Sequence, residues 1–164
     1  MQSRSRTLTV VAVLALVGVL GVGISNLWAQ AADPRIGTWK LNAAKSKYDP
    51  GPPPQSLTVK VEPAGQGEKV TAEFVNTDGS RTSTVYTANF DGKDVPLTGA
   101  QLANTVALQR VDARTTVRTD KKDGKVVQTL TRVVAPDGKA MTVTVKGTNA
   151  QGQPVNNVIV FDKQ

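Results

Sequence analysis

An all-β fold, an up-and-down antiparallel barrel of roughly eight to ten strands, follows from three observations. From residue 56 onward, apolar and polar side chains alternate with period two, the mark of strands that bury one face. Turn chemistry interrupts that alternation at short intervals, with Asp-Gly pairs at 78–79, 91–92, 123–124 and 137–138. No helix long enough to cover a sheet face is visible in the same region. An open sheet of this size would leave two bare edges, so closure is expected.

The chain begins with an export signal over residues 1–31. Arg4 and Arg6 form a basic start, residues 8–24 an uncharged apolar core, and Ala29-Gln30-Ala31 a small-x-small cleavage site. The alternative is a retained anchor, because the apolar run approaches the roughly 18 residues that span a bilayer. Gly18, Gly21, Gly23 and the clean cleavage site favour removal after Ala31. The two arginines are not adjacent and no cysteine follows the core, which argues against twin-arginine export and a lipid anchor. The mature chain, residues 32–164, is then one exported domain, periplasmic or extracellular, with a net charge of +5. No stable membrane insertion is expected once the signal is gone.

Residues 36–41 make the first strand. Residues 42–54 then interrupt the pattern: one helical turn fits at 43–47, and Asp49-Pro50-Gly51-Pro52-Pro53-Pro54 permits neither helix nor ladder. This segment is expected to be a stiff strap crossing one end of the sheet. Leu57, Val59 and Val61 alternate with polar neighbours in the next strand, and Val70, Ala72 and Phe74 do so after the turn at 63–67. A hairpin at 76–80 leads into residues 82–90, with Thr84, Tyr86, Ala88 and Phe90 on one face. Asp91-Gly92-Lys93 is expected to turn the chain into a short segment at 95–97. Strands at 105–110, 115–120, 126–135, 141–146 and 155–161 complete the series, about nine in all. Short links between consecutive strands favour up-and-down order over a Greek key.

Composition excludes much chemistry. The chain has no cysteine and no histidine, so the usual thiol nucleophile, general base and transition-metal ligands are missing. The aspartates beside glycines have a sufficient role in their turns, and no dense acidic loop suggests calcium. Neither enzyme activity nor a metal or other cofactor is expected. Acidic and basic residues are interleaved and exposed aromatic stacking partners are absent, which argues against nucleic acid.

Gly37-Thr38-Trp39 on the first strand of such a barrel resembles the lipocalin, or calycin, signature. The longer pattern Gly37-Thr38-Trp39-Lys40-Leu41-Asn42, with Lys45-Ser46-Lys47 and Pro50-Gly51-Pro52, is similar to a group of small exported bacterial proteins described as lipocalin-like and without an assigned function. The similarity extends to the ending Gly152-Gln153-Pro154-Val155-Asn156-Asn157. It implies that Trp39 packs across a closed base, that Gly37 allows a close approach there, and that the interior takes a ligand. Lipocalins place a basic residue of a late strand over that tryptophan. Residues 155–161 contain none, which leaves Arg132 as the nearest substitute. The strap is expected near the same end.

The interior supplies the candidate binding residues. Tyr86 shares a face with Thr84, Ala88 and Phe90; Arg110 shares parity with Val106 and Leu108; Arg132 shares parity with Val126, Leu130 and Val134. A phenol and two guanidinium groups among apolar walls would suit an amphipathic ligand with an anionic head. The competing placement puts both arginines at strand ends with their heads in solvent. The leading expectation is therefore an exported, non-enzymatic barrel that binds a small apolar or amphipathic molecule. A structural or interaction module of the cell envelope, its barrel filled by its own side chains, is the alternative.

Overall fold

A computed structural model describes residues 33–164; the expected export signal at 1–31 lies outside the described residues. Ten antiparallel strands follow one another: β1 (Gly37–Leu41), β2 (Ser56–Ala64), β3 (Gly67–Val75), β4 (Arg81–Asn89), β5 (Asp91–Pro96), β6 (Thr105–Arg110), β7 (Thr115–Lys122), β8 (Lys125–Val134), β9 (Ala140–Thr148) and β10 (Pro154–Lys163). Every consecutive pair except β4 and β5 forms a ladder, and β1 pairs with β10, giving one sheet in the order β4-β3-β2-β1-β10-β9-β8-β7-β6-β5. Its two ends meet through a single bridge, in which Val85 and Thr98 exchange backbone hydrogen bonds of 3.0 and 2.9 Å. The barrel is thus all but closed, as the edge argument requires.

Three local departures from the sequence reading have physical causes. Phe90 alone makes the corner between β4 and β5, so residues 91–93 belong to β5, where a bulge between Asp91 and Asp94 shifts the register. A second irregularity faces Asp120 and Lys121, which pair with Gln128 and Val126 and leave Val127 extra. One inserted residue reverses the facing of what precedes it. Val126 therefore leaves the face of Leu130, Arg132 and Val134 and is 60% exposed, while Gln128 takes the inward position. Gly147, opposite Gln128, accommodates this, because a Cβ there would lie 2.1 Å from the Val127 carbonyl oxygen. Finally, β10 runs to Lys163, past the expected end at 161.

The strap also differs in place. It leaves the Leu41 end of β1 and enters the Ser56 end of β2, so it crosses the barrel rim opposite Gly37. Asn42 caps a 3-10 turn over Ala43–Lys45 by accepting from the Lys45 backbone N–H at 3.1 Å. Lys47 then bridges to Val158, and the Asp49 carbonyl accepts from the Asn156 N–H at 2.8 Å. Gln55 donates to the Val75 carbonyl at 2.8 Å, so the proline run between is tied at both ends.

The opposite end is packed solid. Trp39 is fully buried and its Nε1 donates to the Arg35 carbonyl at 2.8 Å. Lys163 Nζ lies 5.0 Å from the centre of the Trp39 ring. Lys163, not Arg132, is the basic residue over the tryptophan; the expected strand stopped two residues too early to include it. Gly37 has φ +136°, and a Cβ there would come within 2.8 Å of Lys163 Cε. The lysine end could shift, so it is the positive φ that favours glycine at this point.

Candidate functional site

Between that packed base and the strap lies a cavity of about 420 Å³. Inward positions of β2, β3, β9 and β10 give it an aliphatic and aromatic wall, including Leu57, Phe74, Val143 and Phe161. The alternation of these strands places every second side chain in the interior. Tyr48, Pro52 and Pro54 from the strap cover the rim, with Asn76 and Thr77 from the β3–β4 turn beside them.

The polar groups come from the other side of the barrel. Tyr86 on β4, Thr116 and Arg118 on β7, and Arg132 on β8 all reach the cavity wall. Arg132 donates from Nη2 to Glu68 Oε1 at 2.5 Å and from Nε to Thr116 Oγ1 at 3.0 Å. Tyr86 donates its hydroxyl to the same Glu68 oxygen at 3.4 Å. Arg118 grips Asp120 with two hydrogen bonds of 2.6 Å, from Nε and Nη2, and its guanidinium carbon lies 5.2 Å from the centre of the Tyr86 ring. Glu68 is 1% and Asp120 4% exposed, so both carboxylates are buried behind their arginines.

Burial pushes the Tyr86 phenol above its ordinary value, with the nearby Arg132 and Arg118 charges opposing, so it remains a neutral hydroxyl. Burial opposes the charge on Arg118, but the facing Asp120 carboxylate and Tyr86 together outweigh it and hold the guanidinium protonated. Tyr48 is pushed up to about 12 by burial alone, and its hydroxyl has no protein partner among the described residues. Glu68 Oε2 is likewise buried without a partner.

Of the residues expected from the sequence, Tyr86 and Arg132 come together on the cavity wall, bridged by Glu68. Arg110 does not join them. It sits at the base end of β6, where Nη2 donates to Asp33 Oδ2 at 3.0 Å and the guanidinium covers Phe90 at 4.0 Å. Arg35 lies on the same ring at 4.8 Å and holds both oxygens of Asp33. Gly37 and Trp39 lie at this base.

Arg118, Glu68 and Tyr48 were not read from the sequence. β7 turns Thr116, Arg118 and Asp120 inward and leaves Val117 between them. A search for the apolar face would choose the wrong side of this strand. The signal available was an arginine and an aspartate two residues apart on a strand, which share a face and can pair.

No family model matches the chain, and no curated protein matches it. Among solved structures it is similar to zebrafish ileal bile acid-binding protein in complex with cholic acid. That likeness has a TM-score of 0.49 and 14% sequence identity, over 80% of this chain and 99% of that one. It is too distant to bear on function.

Proposed function

We propose that this is an exported, single-domain, lipocalin-like barrel, residues 32–164, that binds a small apolar or amphipathic molecule in its interior. The observation that carries the reading is the cavity. Its volume of about 420 Å³ falls in the range of small-molecule sites, and an apolar wall faces a few convergent polar groups. Tyr86 and Arg132, joined by Arg118, are the polar contacts such a ligand would meet; Arg110 is turned to Asp33 and Phe90 at the base and takes no part.

A barrel serving only as a structural or interaction module has no need of this void, and a filled interior is the state its alternative required. Export rests on the residue pattern at 1–31. The binding reading is tested with the mature chain, titrated with the neutral fluorescent amphiphile N-phenylnaphthylamine and examined by native mass spectrometry after gentle purification. Saturable binding at one site, or a co-purified small molecule, is the expected result. Linear, unsaturable fluorescence together with a bare mass would sink it.

A further inference from the structure

The charges in the cavity are already spoken for, and this bears on what kind of head group the site accepts. Arg118 and Arg132 are the only charged side chains lining the cavity among the described residues. Each is matched by a buried carboxylate. Asp120 takes Arg118 through both oxygens at 2.6 Å, and Glu68 takes Arg132 at 2.5 Å. The remaining polar groups at this spot, Tyr86 and Thr116, are neutral. The four charged side chains therefore sum to zero at the cavity wall.

What the cavity retains is donor capacity without net charge. Arg118 uses Nε and Nη2 on Asp120, and Arg132 uses Nε and Nη2 on Thr116 and Glu68. Arg132 Nη1 makes no hydrogen bond to a protein group among the described residues, while Arg118, beyond its two bonds to Asp120, has Tyr86 as its neighbour on the cavity wall. We infer, on the reading that this cavity holds a ligand, that it selects amphiphiles whose head is an uncharged hydrogen-bond acceptor over those with a carboxylate. An alcohol, ketone or ester oxygen can accept from Arg132 Nη1 and disturb nothing. A carboxylate must either bring an uncompensated negative charge into the interior or displace Glu68 or Asp120 from its arginine. Both routes leave a buried anion without a counter-charge of its own, which is costly there.

Dodecanol and dodecanoate share a chain and differ in head charge. Their affinities for the mature chain at neutral pH are measured by displacement of N-phenylnaphthylamine. Dodecanol should bind about tenfold tighter or better. Glu68→Gln, which releases Arg132 from its counter-charge, should move the dodecanoate-to-dodecanol affinity ratio about tenfold toward the acid. Asp120→Asn should do the same through Arg118, an independent route to the same readout. Dodecanoate binding as tightly as dodecanol to the unaltered protein would overturn the inference while leaving ligand binding intact. So would a ratio that stays put in either folded variant. If neither compound nor the probe binds, the binding reading itself falls, and the head-group preference with it.

Discussion

The two ends of this barrel use the same residue types to opposite effect. At the base, Arg35, Arg110 and Lys163 lie against the rings of Phe90 and Trp39, and one carboxylate, Asp33, serves both arginines. Cation and aromatic fill each other's space, and Trp39 is left with no exposed surface. On the cavity wall, Arg118 and Arg132 are instead drawn back onto their own carboxylates, and the centre stays hollow. Flat stacking consumes volume, whereas pairing along the wall preserves it. The protein thus spends aromatic contact on closing one end and ion pairs on keeping the other open.

The largest effect should come from removing the base. Trp39→Ala deletes a fully buried indole and its hydrogen bond to Arg35, and should cost about 3–5 kcal/mol of stability in denaturant unfolding. A loss under roughly 1 kcal/mol would mean that the base does not hold the fold together.

A second test separates the ends spectroscopically. A chain of residues 32–164 has Trp39 at the base, while the protein's two tyrosines, Tyr48 and Tyr86, both line the cavity. Both are raised above the ordinary 10.0 by burial, Tyr48 to about 12. A raised folded value stabilises the protein fully below pH 10, and that contribution is lost as pH climbs through the folded values. Tyrosinate absorbance should therefore stay low up to pH 10 in the folded protein and rise later than in denaturant. Alkali should perturb the cavity before it alters Trp39 emission. Coincident titration of folded and unfolded chains would show the cavity to be wet.

The smallest effect is also the most discriminating. Arg110→Ala removes a half-exposed contact to Phe90 and Asp33, worth about 0.5–1 kcal/mol. It should leave ligand affinity unchanged, because Arg110 is not on the cavity wall. A clear loss of binding with the fold intact would mean that the two ends are not independent.

Much of the architecture was legible. Period-two patterning and Asp-Gly turns located the strands, and the short segment at 95–97 proved to be the end of a tenth. Gly37 and Trp39 marked the base. In two places the reading slipped by one or two residues. The extra Val127 turned Val126 outward, and two further residues of β10 brought Lys163 over the indole. Arg118 went unread because β7 buries its polar face, the reverse of the rule that finds strands.

What the sequence alone determined was local: where strands run, where they turn, and that no helix is available to cover them. Those properties depend on neighbours a few residues apart. The pairing of Arg132 with Glu68, 64 residues earlier, was decided only by the closed sheet, which sets β3 and β8 across one cavity. The same closure put the strap over the hollow end and Arg110 outside it. Parity assigns a side chain to a face, but only the finished barrel assigns that face a depth, a partner and a charge to answer.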